Sequence, residues 1–145
     1  MNPKQLNILL ADDDPDDCYL FKEALEVAVS ANFTAVHDGE QLMQVLINEK
    51  NSLPDVLFLD INMPRKNGFE CLAEIKRHEK LKGLPVVILS TSFDYDKIDI
   101  LFKTGADVYV RKPRSFTQLV EVIQHALPMA AENIPNGRLK YILNS

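Results

Sequence analysis

Ile8-Leu9-Leu10-Ala11-Asp12-Asp13-Asp14-Pro15-Asp16-Asp17 sets a short apolar run directly against a run of carboxylates, and that junction decides the fold. The apolar run begins at Leu6, is too short for a helix, and reads as a buried strand. Asp14 then caps a helix whose first position is Pro15, because proline lacks an amide that would have no intrahelical partner there. Asp17, three residues after the cap, adds negative charge where the helix dipole favours it, and Phe21, Leu25 and Ala28 recur at helical spacing. The unit is therefore a strand, an acidic corner and a helix.

The same unit repeats along the chain. Phe33 to Val36 is a short strand, His37-Asp38-Gly39 a turn, and Leu42, Val45 and Leu46 mark a helix. Val56-Leu57-Phe58-Leu59 runs into Asp60, and a polar loop from Asn62 to Gly68, broken by Pro64, leads to a helix marked by Phe69, Leu72 and Ile75. Leu84 to Leu89 is a strand ending at Ser90-Thr91-Ser92, after which Ile98, Leu101 and Phe102 keep a helical rhythm until Gly105. Val108-Tyr109-Val110 is the fifth strand. After Lys112-Pro113, Ser115 with Gln118 at the capping-box position opens a helix through Leu119, Val120, Ile123 and Leu127. Five such repeats predict an α/β domain over residues 1–127, a parallel sheet covered on both faces, since parallel strands need right-handed crossover connections. Residues 128–145 are a C-terminal tail with a turn at Pro135-Asn136-Gly137. Its apolar residues Leu139, Tyr141, Ile142 and Leu143 would pack back on the domain or meet a partner.

A chain of 145 residues holds about one domain, with no room for a separate DNA-binding module. Sixteen basic against twenty-one acidic side chains give a formal charge of −5, which argues against direct nucleic-acid binding. No window approaches 18 apolar residues, and no basic segment followed by an apolar run opens the chain, so the expectation is a cytoplasmic protein without a membrane span. Cys18 and Cys71 lack zinc spacing and are expected as reduced, packed residues; His37, His78 and His125 are scattered and take surface or helix-terminal roles.

Asp12, Asp13 and Asp60 all follow strong strand signals. The C-terminal ends of parallel strands share one edge, where ligands bind in open α/β sheets, so these distant acids can form one site. Three neighbouring carboxylates repel one another, and a hard divalent cation resolves that conflict; Mg²⁺ suits oxygen ligands. Lys112 and Ser90 reach the same edge from the fifth and fourth strands. A cation, an ammonium and a hydroxyl around one accessible carboxylate suit phosphoryl transfer, with Asp60 as nucleophile.

These residues resemble the receiver domain of two-component response regulators. The likeness rests on ILLADDDPDD at 8–17, VLFLDINMPRKNGFE at 56–70, PVVILSTS at 85–92 and GADVYVRKP at 105–113, and spans about Leu6 to Leu127. It is nearest the free-standing type that follows bacterial sensor kinases, phytochrome-associated ones among them. The resemblance implies a flavodoxin-like fold, a five-stranded parallel sheet in the order 2-1-3-4-5 with five flanking helices. It implies phosphorylation of Asp60 by a sensor histidine kinase or histidine phosphotransfer protein, in a signalling protein rather than a metabolic enzyme. Mg²⁺ would be held by Asp13, Asp60 and the carbonyl of Asn62, with Asp12 orienting metal-bound water or approaching the ion. Lys112 would pair with phosphoryl oxygens, Ser90 would move towards them, and Tyr109 would report that movement. A cis peptide before Pro113 and signalling through the fourth helix, fifth strand and fifth helix are also implied, with the downstream protein unnamed and homodimer formation open.

Two departures stand out. Ser90 replaces the commoner threonine, losing the methyl that restricts its rotation, and Arg111 stands where an apolar or small residue is common, facing a partner or keeping an edge strand soluble. Other readings fit less well. A calcium loop would use Asp12, Asp14, Asp16 and Glu23, but Asp17 holds the place of its required glycine. An aspartyl phosphohydrolase would need an acid where Asn62 stands, and a flavin carrier would need a glycine- and hydroxyl-rich cradle where the acids stand. A receiver-like module that ignores phosphate would not need Asp12, Asp13, Asp60, Ser90 and Lys112 together.

Overall fold

Alternation along the first strand sets the layers. In β1 (Leu6–Ala11), Ile8 and Leu10 face one side of the sheet and Leu9 and Ala11 the other, as the two-residue pleat demands. The structure, a computed structural model, describes residues 5–91, 94–131 and 141–144. After β1 come α1 (Pro15–Ala28), β2 (Ala31–Val36), α2 (Gly39–Ile47), β3 (Val56–Asp60), α3 (Gly68–Arg77), β4 (Val86–Ser90), α4 (Tyr95–Thr104), β5 (Val108–Arg111), α5 (Phe116–Ala131) and β6 (Tyr141–Asn144). The predicted five strands pair in the order 2-1-3-4-5, all parallel, giving the flavodoxin-like fold with five flanking helices.

One core layer packs Leu9, Leu57, Leu59, Ile88 and Tyr109 under α2, α3 and α4. The other packs Ile8, Leu10, Phe58, Val87 and Val110 under α1 and α5, with Phe21 meeting Phe58 edge-on at 4.9 Å. Strands β3 and β4 are buried at every position, which is why they read as continuous apolar runs rather than alternating ones.

The helix starts follow their capping chemistry. Asp14 accepts from the amides of Asp16 and Asp17 with Pro15 next in line, and Ser115 Oγ accepts from Gln118 N at 3.2 Å, both as expected. Gly105 ends α4 at φ 126, a conformation that favours glycine. Asn67 and Glu70 add a reciprocal capping box to α3.

Three expectations need correction. Helix α5 does not stop at Leu127 but runs through Pro128 to Ala131: packing of Ala126, Leu127 and Ala130 against the sheet outweighs the one hydrogen bond that proline forfeits. The tail supplies β6, which pairs parallel to β5 from Val108↔Tyr141 to Arg111↔Asn144, so the sheet has six strands and β5 is not its edge. The Lys112–Pro113 peptide is trans, like every peptide bond among the described residues. Trans is the intrinsically favoured form, and in it Lys112 N donates to Ser90 O at 2.8 Å and the Lys112 side chain reaches the acids. The expected turn at Pro135-Asn136-Gly137, Leu139 and Ser92 lie outside the described residues. No helix of the described residues is long and apolar enough to cross a membrane.

The loop between β3 and α3 is pressed tightly into place. A Cβ on Gly68 would lie 2.7 Å from both Asp60 O and Ile61 Cα, and one on Gly39 would lie 2.0 Å from Lys66 O. All three are backbone atoms, which cannot rotate aside. Gly39→Ala and Gly68→Ala are therefore expected to destabilise the protein by about 2 kcal/mol or more, read as a lowered urea midpoint. Gly83→Ala, with nothing within 4 Å of the new methyl, serves as the near-neutral control.

Candidate functional site

Four strand ends converge on one edge. Asp12 follows β1, Asp60 closes β3, Ser90 closes β4 and Lys112 follows β5. Asp12 and Asp60 are 1% and 4% exposed, so neither carboxylate has bulk water to solvate it. Asp13, next to Asp12, is exposed, yet it offers an oxygen to a cluster in which Asp12, Asp13 and Asp60 oxygens all lie within 4.8 Å of one another. The sequence-predicted acids are thus brought together.

Backbone amides hold two of these carboxylates in place. Asp60 Oδ1 accepts from Asn62 N at 3.1 Å, and Asp12 Oδ1 from Asp14 N at 3.0 Å. Lys112 Nζ donates to Asp12 Oδ2 at 3.0 Å, Asp17 Oδ2 at 3.1 Å and Asp60 Oδ2 at 3.3 Å. Burial works against the Lys112 ammonium, but the charges of Asp60 and Asp12 outweigh it and raise its pKa above the ordinary lysine value. Burial pushes Asp60 up to about 6, only partly opposed by Lys112 and the Asn62 amide.

Asp17 is the residue that sequence reasoning missed. It was read as a helix-dipole charge, and it is one, but its side chain also completes the set of carboxylates around Lys112. His37 was read as a surface residue; it is exposed, yet its Nδ1 lies 3.2 Å from the carbonyl of Asp12. A carbonyl only accepts, so the Nδ1–H form of His37 donates there. Cys18 Sγ lies 3.4 Å from the same oxygen, and burial pushes its thiol up to about 11, so it stays an S–H donor. Asp12 N in turn donates to Val36 O at 3.0 Å, so the Asp12 backbone is held through both its amide and its carbonyl. Among the described residues, the rings of His78 and His125 bond locally, to Lys80 N and Glu121 O.

Ser90 is buried, and with Ile61, Asn62, Lys97, Leu101 and Tyr109 it lines a cleft of about 380 Å³ beside the acids. Tyr109, on β5, is buried and pairs in register with Ile88. Arg111 is half-buried between Ser90 on β4 and Asn144 on β6, so it does not serve to keep an edge strand soluble.

Residues 8–124 match the response regulator receiver domain model. The chain belongs to the response-regulator receiver family. Response regulator Rcp1 of Synechocystis is 33% identical over 128 residues, spanning 85% of this receiver and 86% of that protein. The phosphorylated cyanobacterial phytochrome response regulator RcpA superposes with a TM-score of 0.80 at 32% identity, over 90% of this receiver and 97% of that chain. The Mn²⁺-bound form of Rcp1 gives 0.75 at 32% identity, over 83% and 90%. This receiver is a phosphoaccepting response regulator of two-component signalling, and its acidic cluster is able to chelate a metal ion. Such a signalling protein switches state; it does not process a metabolite.

The raised Asp60 pKa makes a stability prediction. In the metal-free protein, the folded state holds the Asp60 proton more tightly than the unfolded chain does, so its charge penalises folding above pH about 6 and the penalty fades towards pH 4. Asp60→Asn is expected to be more stable than wild type by on the order of 2 kcal/mol at pH 7.5, with the gain shrinking as pH falls through that window. Urea denaturation at several pH values checks this. Added Mg²⁺ should stabilise the wild type selectively and narrow the gap.

Proposed function

We propose that Asp60 is the phosphoacceptor, and that Asp12, Asp13, Lys112 and Ser90 form the machinery around it. The observation that carries this is the convergence of one ammonium and three carboxylates on a single oxygen-rich corner, with Asp60 buried at its centre. The donor set is all hard oxygen, and the one ammonium of Lys112, bonded to Asp12, Asp17 and Asp60, leaves the four acids of this corner, Asp13 included, in excess, so the residues fit a divalent cation, which we take to be Mg²⁺. Asp13, Asp60 and the carbonyl of Asn62 would hold it, with Asp12 directing its waters. When bound, the cation withdraws charge from the phosphoryl oxygens.

The ionised Asp60 carboxylate oxygen attacks phosphorus of a phosphohistidine on a sensor kinase or phosphotransfer protein. The new O–P bond forms as the P–N bond breaks, and the imidazole nitrogen keeps the electron pair. With its pKa at about 6, Asp60 is mostly ionised at pH 7.5 and remains a competent nucleophile. Lys112, charged throughout, places an N–H against the oxygens that accumulate negative charge. Ser90 and Tyr109 share the adjoining cleft, so a shift of Ser90 towards the phosphoryl group changes the space open to the Tyr109 ring. A downstream protein, or a second copy of the chain, reads that change.

The test uses wild type, Asp60→Asn and Lys112→Ala, each checked for folding, with a small-molecule phosphodonor and Mg²⁺. Intact-mass analysis should show one added phosphoryl group on wild type and none on Asp60→Asn. Lys112→Ala should keep the acceptor but react roughly ten- to a hundred-fold more slowly. Full modification of folded Asp60→Asn, or trapping of the acyl phosphate at another acid, would overturn the assignment.

A further inference from the structure

We infer that Asp17 is a positioning residue for phosphoryl binding: it tethers the Lys112 ammonium so that one N–H can pass to the phosphoryl group while the others stay anchored. This rests on the reading of Asp60 as acceptor. An ammonium has three N–H donors, and those of Lys112 meet three carboxylates at 3.0, 3.1 and 3.3 Å, the longest contact being to Asp60. Once Asp60 is phosphorylated, the nearest negative charge on that side sits on the phosphoryl oxygens. The Asp60 contact is the one the ammonium exchanges.

The remaining anchors are Asp12 and Asp17, and they are not equivalent. Asp12 belongs to the oxygen cluster with Asp13 and Asp60, so a bound cation draws on its charge. Asp17 lies outside that cluster and stays a full counter-charge for Lys112. Its backbone is fixed in the first turn of α1, its amide directed at Asp14 Oδ1 and the helix held down by Phe21 and Leu25. A lysine ammonium rides on a flexible four-carbon stem, so losing one anchor lets it sample positions away from the phosphoryl group. The Asp17 side chain is 43% exposed, which limits the effect to a few-fold.

The experiment titrates beryllofluoride, which mimics a phosphoryl group on a carboxylate, in saturating Mg²⁺ and follows amide shifts by NMR. The proteins are wild type, Asp17→Asn, Lys112→Ala and the double variant, with Mg²⁺ alone titrated in parallel. Asp17→Asn should bind beryllofluoride roughly three- to five-fold more weakly, while Mg²⁺ affinity stays within about two-fold. In the Lys112→Ala background, Asp17→Asn should cost nothing further, because its effect runs through the lysine. Unchanged or tighter binding by Asp17→Asn, or an equal loss in the Lys112→Ala background, would overturn the inference. Failure of beryllofluoride to bind the wild type at all would instead overturn the acceptor reading, and this inference with it.

Discussion

The structure turns on an imbalance of charge at one edge of the sheet. Asp12 and Asp60 are both buried and their oxygens are close, so the charge of Asp12 adds to the burial cost of ionising Asp60. Lys112 supplies one positive charge, and Asp17 and Asp13 add two more negative ones. The residual negative charge can be relieved by a proton on Asp60 or by a cation. A site tuned for stability alone would have used fewer acids. The surplus is what lets the same corner accept a cation and then a phosphoryl group, since each arrival exchanges one set of counter-charges for another.

That imbalance is tolerable because the framework around it cannot relax. Strands β3 and β4 are buried at every position, and the turn after Asp60 is packed so closely that Gly68 has no room for a methyl group. The Asp12 carbonyl takes donors from His37 and Cys18, while its amide is tied to β2. The cost of holding a carboxylate in that framework therefore appears as a raised pKa on Asp60, driven first by burial and only in smaller part by the charge of Asp12. Side chains lining the cleft with Ser90 and Tyr109 do have room beside them, and there a change of charge at Asp60 has space to become a change of shape.

The fold and most of the site were legible because parallel strands deliver their C-terminal ends to one edge. Asp12, Asp60, Ser90 and Lys112 each end an apolar run, and no knowledge of strand order is needed to bring them to the same side of the sheet. Asp17 was harder to read. Its role depends on how α1 is rotated over the sheet and on the reach of a lysine 95 positions away. His37 acts on a backbone oxygen, which carries no signature in sequence. Pro128 reads as a helix end by local propensity, which carries no trace of Ala130 packing on the sheet. The four-residue strand β6 shows a period too short to separate from a tail that merely packs.

Strand β6 changes which edge of the sheet is open. In a five-stranded sheet, β5 would present unpaired amides and carbonyls, and a partner could add a strand of its own. Here Val108 to Arg111 are paired on both sides, to β4 and to β6. Among the described residues the open edge on this side moves to β6, so a partner that adds a strand would meet β6 and not β5. Away from that edge, α4 and α5 expose Tyr95, Ile100 and Phe116. Helix α4 also lends Lys97 and Leu101 to the cleft that Ser90 shares with Tyr109, so the element that exposes Tyr95 and Ile100 on its outer side borders the acidic corner on its inner side.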